Sequence, residues 1–471
     1  MIETEVLIVG AGPSGLVTAL CLARHGIKSV VIERQKDINP HPKAHELNAR
    51  SIEILGGLGI SLKELRVEAS PKSDGCRIAF CTNIGTEYGS IDLLRDIEDA
   101  GKYKRNLASD EPYLNISQTE IERTLHAHVI RSSKATMLLG QEWQSTIQDD
   151  NGAVSSVKDR ANGQCFDIES KWVIGADGAG SRIRKSLGVS MEGPEKIQDF
   201  VNAYFEANLR QYLAKPAKLF WITEPSSFGT FIAHHIDKRW VYNVPIYEPW
   251  ESPDQYTKDV LELRIAKAIG CKDAQVKVKS TSIWRMTVQV AERWRDRRIF
   301  LVGDAAHRFP PTGGLGMNSG IGDAHNLAWK LAFVLRGKAA PSILDSYEQE
   351  RKPVATRNGQ ESLENFERIF DVFAALGLPR NGTRILTRVR NSKLLGCLPL
   401  SWQKKLFDSI DNMARGKINR ALCNQAASKR LRDAIKDQIP HFDRIGLDLG
   451  YIYESQAVLS DQDVQESEIT M

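Results

Sequence analysis

Three short runs join glycines to a carboxylate, and their spacing points to one kind of chemistry. The first is Gly10-Ala11-Gly12-Pro13-Ser14-Gly15, followed by Glu33, 18 residues past Gly15. Gly10 allows a tight turn, Gly12 lets backbone approach a pyrophosphate, and Gly15 lets helix and strand pack closely. Pro13 suits a first helical turn, where its missing N–H is not needed. Glu33, at a strand end, can accept from ribose hydroxyls. The second run is Gly175-Ala176-Asp177-Gly178 and the third is Gly303-Asp304, leading into Pro310-Pro311-Thr312-Gly313-Gly314-Leu315-Gly316-Met317-Asn318. Bare amides beside a positive helix end suit an anion, and a carboxylate suits a sugar or polyol hydroxyl. Together they read as a site for an ADP-bearing cofactor.

The elements that must position these runs are legible around them. Glu5 to Val9 is an apolar strand, Leu16, Ala19, Leu20 and Ala23 mark a helix ending near Gly26, and Ser29 to Ile32 is a second strand. Trp172 to Ile174 is another strand before Asp177, and Ser181 caps a short helix after it. Ile299 to Val302 stops at Gly303-Asp304 as a buried strand does. From Ser319 onward, Ile321, Ala324, Ala328, Leu331 and Leu335 recur at helical spacing, with Gly337 at the end. The fold class expected is α/β, a Rossmann-like nucleotide-binding unit in a chain that is α+β overall.

At 471 residues the chain can build two or three cores. Its 42% apolar and 26% charged content is that of a globular protein. A net charge of +4 is slight for this length, so no nucleic-acid partner is expected. Seven scattered cysteines form no C-x-x-C pair or metal cluster, and no metal is expected. There is no signal peptide and no membrane-length apolar run, which suits a cytoplasmic protein.

The quoted motifs resemble those of the class A, single-component FAD monooxygenases, the para-hydroxybenzoate and phenol hydroxylase relatives. Gly303-Asp304-Ala305-Ala306-His307 with the Pro310 to Asn318 loop is similar to that family's second flavin motif, and Asp177-Gly178 with Arg184 to its third signature. The resemblance implies a para-hydroxybenzoate hydroxylase-type fold with FAD as cofactor and NADPH or NADH as cosubstrate. It assigns cofactor contacts to Gly10, Gly12, Pro13, Ser14, Gly15, Glu33, Arg34, Lys43, Gln118, Asp177, Gly178, Gly303, Asp304, Pro311, Gly314, Gly316, Met317 and Asn318. Lys43 stands where an arginine is usual and lacks the bidentate fork. His45 reads as a loop histidine bonded to backbone. Pro341 to Pro353 matches the family's exit sequence, and Leu447 to Tyr453 resembles the phenol hydroxylase branch, whose thioredoxin-like third domain is not apparent.

On this resemblance residues 1–75, 105–185 and 290–355 form the FAD-binding domain, and 76–104 with 186–289 an antiparallel substrate domain over the flavin. Residues 356–455 form a helical region, and 456–471 a disordered tail. In the substrate domain Trp240, Tyr242 and Val244 share one face and Val241 and Asn243 the other. The activity implied is hydroxylation of a phenolic or other electron-rich aromatic by O2 through a flavin hydroperoxide, in a monomer or homodimer. His235 and Tyr242 are the candidate acceptors that would draw a phenol toward phenolate. The Pro311 carbonyl, with no adjacent donor, is a candidate acceptor for a substrate hydroxyl. Epoxidation or Baeyer–Villiger oxidation is the alternative. Halogenation is disfavoured, because Trp240 to Ile246 matches W-x-W-x-I-P only loosely. A non-catalytic protein on the same scaffold would have lost the flavin contacts, which are present here.

Overall fold

The computed structural model describes residues 1–93, 113–248, 251–271, 274, 276–380 and 400–458. The sequence expectations for 94–112 and for the tail beyond 458 lie outside the described residues. Two sheets hold most of the described strands. The nucleotide sheet runs in the order Arg295–Asp296, Ile299–Leu301, Cys165–Gly175, Ile2–Val9, Ser29–Glu33, Ala135–Leu139. Apart from the edge strand Arg295–Asp296, this path is parallel, and the buried runs Val6–Val9, Ser29–Ile32, Trp172–Gly175 and Ile299–Leu301 form its core. Val9 pairs with Gly175 and Ile32, and Gly175 with Leu301, so the carboxyl ends of these strands share one edge. That edge is where an α/β sheet binds ligands.

Helix Pro13–Arg24 starts immediately after the first strand, with Gly12 as its N-cap and Pro13 in its first turn. Leu16 and Leu20 pack in one core with Leu327, Ala328 and Leu331 of helix Leu315–Leu335. That helix begins at Leu315, four residues before the start read from sequence. Its N-cap is Gly314 at φ 63, in the left-handed region, so Gly316 to Asn318 are the first helical turn rather than loop. Ser181 caps Arg182–Ser186 through Arg184 N, as expected. The helix Ser346–Ala375 runs unbroken through Pro353, so position 355, expected to close the nucleotide-binding unit, falls inside one rigid element.

The roof sheet has seven strands in the order Lys277–Met286, Gln198–Glu206, Arg239–Ile246, Gly229–His235, Leu219–Ile222, Arg77–Asn83, Thr86–Asp92. It is antiparallel except where Leu219–Ile222 lies parallel to Arg77–Asn83. One face carries Ala203, Phe205, Phe231, Trp240, Tyr242 and Val244 and packs on Leu261 and Ile265 of helix Lys258–Ile269. Burying Phe205, Phe231, Val244, Leu261 or Ile265 contributes roughly 1.5–3 kcal/mol each. On the other face Ser280 and Ser282 bond His41, and Trp221 meets Phe373. Helices Ser346–Ala375 and Gln425–Lys436 close its far edge, where Ile369, Phe373, Leu431 and Ile435 cluster with Ile78 and Phe80. No helix among the described residues is long and apolar enough to cross a membrane, and no cluster there could hold a metal.

Candidate cofactor and substrate site

The three glycine runs meet. Gly10, at φ 109, lies so near the second run that a Cβ there would stand 2.3 Å from Ala176 O. A Cβ on Gly15 would meet Gly10 O at 2.0 Å, and one on Gly303 would meet Ser14 Oγ at 2.4 Å. The first two are approaches of backbone to backbone, and Gly303 adds a left-handed φ of 62 against the Ser14 side chain. Polar bonds tie the runs together. Arg184, buried, donates to Ala305 O at 3.1 Å, and Arg308 donates to Ala179 O. Glu33 accepts from Ala11 N at 3.0 Å and from Gln35 N at 2.9 Å, which fixes the first turn against the second strand.

Beneath the third run lies a buried charge assembly. Asp323 accepts from Gly303 N at 3.2 Å, pairs with His307 Nε2 at 2.6 Å and accepts from Arg351 Nε at 2.8 Å. Burial alone would raise the Asp323 carboxyl, but the His307 and Arg351 charges outweigh it and hold it below the ordinary carboxylate range. Arg351 also donates to Ser319 O and to the Tyr453 hydroxyl, both at 3.2 Å. Strand end, glycine loop and helix start are thus pinned from below.

Above these pins there is room. A Cβ on Gly12, Gly178 or Gly316 would meet nothing within 4 Å. Asp177 accepts from Arg182 N at 2.7 Å and Ile183 N at 3.2 Å through one oxygen, while its other oxygen is buried without a partner. Arg34, Lys43 and Asp304 are exposed. Open backbone at a helix N-terminus, an orphaned carboxylate oxygen and an unengaged Asp304 fit a dinucleotide with a polyol chain. FAD has that shape: Gly12 and the start of Pro13–Arg24 would hold its pyrophosphate, Glu33 its ribose, Asp304 its ribityl chain, and the Gly314 to Met317 helix start its ring.

Several expected contacts are already committed inside the protein. Pro311 O accepts from Gly314 N at 3.0 Å, so the expectation of a carbonyl with no adjacent donor is corrected: the turn supplies one. Gln118 accepts from Ala44 N at 3.2 Å and donates to Glu122 at 2.7 Å, holding the 43–45 loop. Asn318, buried, accepts from Asn48 N at 3.1 Å and donates to Glu46 O at 3.0 Å and Gly314 O at 2.6 Å. Its carboxamide shapes the loop. Sequence reading missed the pieces brought in from the C-terminal region. Asp448 accepts from Asn48 at 2.6 Å, and Glu46 pairs with both Lys218 and Arg444, all three buried beside Gly314.

On the roof, Tyr242 is fully buried on the face packed against Lys258–Ile269, and its hydroxyl donates to Ser227 O at 2.7 Å. It points away from the crevice, so its expected role beside a phenol is corrected. Strand alternation, which places Tyr242 with Trp240, explains why. His235 sits at the hairpin end, where Asp237 N donates to its Nδ1 at 3.2 Å. Its neighbour His234 takes the inner face, 5.4 Å centroid to centroid from His45. His45 bonds the Asn115 side chain at 2.9 Å, not backbone as expected. Burial lowers His45 to about 4 and, with His45 alongside, lowers His234 well below the usual imidazole range. His41 completes this seam through Ser280 at 2.8 Å and Ser282 at 2.9 Å.

The comparisons with known proteins agree with this geometry. Residues 3–362 match the FAD binding domain family. The chain is 33% identical to a 2,4-dichlorophenol 6-monooxygenase of Cupriavidus pinatubonensis over 99% of this chain and 75% of the relative. It is 32% identical to an aklavinone 12-hydroxylase of Streptomyces purpurascens over 75% of this chain and 66% of that one. It spans 65% of a second 2,4-dichlorophenol 6-monooxygenase, from Delftia acidovorans, so these relatives extend well beyond what it matches. Among solved structures it is similar to the flavin-dependent monooxygenase PieE in complex with FAD and substrate, with a TM-score of 0.84 and 28% identity, covering 99% of this chain and 77% of that one. With three converging glycine runs and a family match across residues 3–362, the chain belongs to the FAD-dependent monooxygenases of the para-hydroxybenzoate hydroxylase fold.

Proposed function

We propose that this protein hydroxylates an electron-rich, phenol-like aromatic, with NADH or NADPH as reductant and O2 as oxidant. The observation that carries this is the convergence of the three glycine runs, with the roof sheet tied to the third of them through Lys218, Glu46 and Arg444. Bound FAD would supply the two-electron redox chemistry and dioxygen activation that no side chain offers. The protein's own part is positional. Glycine amides and the helix start bind the dinucleotide, Asp323 and Arg351 keep the loop rigid, and the roof excludes water from the reacting ring. Names of relatives as monooxygenases and hydroxylases favour hydroxylation over epoxidation or Baeyer–Villiger oxidation, and the intact glycine contacts speak against a non-catalytic protein. A cytoplasmic monomer or homodimer acting on a small molecule completes the proposal. The test is FAD uptake by the purified protein, then NAD(P)H oxidation stimulated by phenols and a product heavier by one oxygen atom. Protein that takes up no FAD would overturn it.

A further inference from the structure

The three histidines of the seam differ in what their ring nitrogens meet. Both nitrogens of His41 are taken, by Ser280 at 2.8 Å and Ser282 at 2.9 Å. Both of His234 are buried with no partner. His45 stands between these cases. Its Nδ1 bonds Asn115 Oδ1 at 2.9 Å, its Nε2 has no partner among the described residues, and the residue is only partly buried. Asn115 settles the tautomer. Its Nδ2 donates to Ala233 O at 3.0 Å and to Ser70 Oγ at 3.1 Å, while Ser70 uses its own proton on His234 O at 2.9 Å. A carbonyl only accepts, so the amide nitrogen of Asn115 faces Ala233 and its oxygen faces His45. That oxygen also only accepts, so His45 Nδ1 carries the proton and Nε2 carries a lone pair. Burial, helped by the Lys218 and Arg444 cations, keeps this ring uncharged at neutral pH, and His234 beside it is uncharged as well. His45 also adjoins the helix start that would hold the flavin ring. Glu46, the next residue, packs at Gly314, and Asn318 of that first turn donates to Glu46 O at 3.0 Å.

We propose that His45 receives the substrate hydroxyl: its Nε2 accepts a hydrogen bond from a phenolic O–H, the task expected of His235 and Tyr242. That bond shifts electron density from the O–H toward oxygen and into the ring, which makes the ring a better nucleophile. The proton stays on the substrate oxygen, because an imidazole so resistant to protonation is a weak base. A fixed lone pair is also selective. A hydroxyl satisfies it, whereas an ether oxygen sets a second lone pair against it and leaves both unpaired. Asn115 and Ser70 act through His45 and are positioning residues: they hold the tautomer and touch no substrate.

This rests on the function proposed above, and the experiment separates the two. Calorimetric titration of the FAD-loaded protein, with no NAD(P)H present, would use 4-chlorophenol and its methyl ether, 4-chloroanisole. Wild-type protein should bind the phenol about tenfold tighter than the ether, the difference one hydrogen bond makes. His45→Asn can still donate to Asn115 but offers nothing where Nε2 stood. It should bring the two probes within about twofold by weakening the phenol alone, with FAD content constant. His45→Phe is read in its place should the asparagine variant not fold. His45→Gln, whose longer side chain can set an amide oxygen near the Nε2 position, should restore a preference of about threefold or more. A purely structural His45 would weaken both probes equally or cost FAD in His45→Asn, and either result overturns the inference. So does a His45→Asn protein that keeps the full preference. Wild-type protein that takes up FAD and oxidises NAD(P)H with phenols, yet binds the phenol no tighter than the ether, overturns this inference and spares the function. Failure to take up FAD, or to respond to any phenol, brings down both.

Discussion

The nucleotide crevice and the roof above it are built by opposite means. The crevice is made of backbone: Gly10, Gly15 and Gly303 sit where a Cβ would collide, and the close approaches they permit bring the three runs together. The roof is made of side chains whose meaning depends on register, as the row Ser282, Asn202, Asn243, Thr230 and Trp221 across its strands shows. Backbone sites demand a residue type at a fixed place in the chain and so leave a local signature. Side-chain sites on a sheet are assembled from four or five distant segments and leave none.

Breaking the crevice should have the largest effect, and two glycines separate its causes. Gly10→Ala puts a methyl 2.3 Å from Ala176 O in a left-handed turn. It should cost roughly 3 kcal/mol of stability and lower FAD retention at least about 100-fold. Gly12→Ala meets nothing within 4 Å in the protein, so it should lower FAD retention alone and leave the thermal midpoint unchanged. Flavin absorbance after gel filtration, set beside a melt of the apoprotein, reads both. Equal melts for the two variants would erase the distinction.

The seam between the halves should respond to acid. His45 is held near pH 4 in the folded chain, chiefly by burial, with Lys218 and Arg444 adding to the effect against the Asn115 bond. The unfolded imidazole takes its proton near 6.5, so between these values the unfolded state binds more protons. The stability His45 contributes is fully present above about pH 6.5 and is lost as pH falls toward 4, at most about 3 kcal/mol in all. Denaturant titrations at pH 7, 6, 5 and 4 would show that slope, and His45→Gln should remove part of it. An unchanged slope in the variant would place the acid sensitivity elsewhere.

The smallest effect belongs to the back of the roof. Tyr242→Phe removes the bond to Ser227 O and should cost about 1 kcal/mol, with turnover on any accepted phenol unchanged. A loss of turnover with stability intact would return Tyr242 to the reacting side of the sheet.

The same contrast explains what sequence could and could not reveal. Gly10, Gly15, Glu33 and Gly303 were legible because each acts within one strand–turn–helix unit. That Gly303 lies against Ser14 was not, since 289 residues separate them and only the parallel sheet joins them. Pro311 was misread because a turn amide three residues on fills its carbonyl, which a count of nearby donors in the extended chain overlooks. His234, not His235, meets the seam, because of a register shift between Ala233 and His235 that one strand alone does not reveal. Asn202 and Asn243 are ordinary strand amides in sequence until register sets them side by side.

Glu46, Lys218 and Arg444 meet in one buried knot, and Asp323 and Arg351 are joined from the far end by Tyr453. A chain made on the ribosome folds from its amino end as it emerges. Here the floor of the crevice cannot be finished until residues 444 to 453 have left the exit tunnel. Until then Glu46 and Asn48 lack the partners that Arg444 and Asp448 bring. Closure of the crevice floor therefore depends on residues 444 to 453, and a chain made only as far as residue 443 would carry its glycine turns without the lock that closes them.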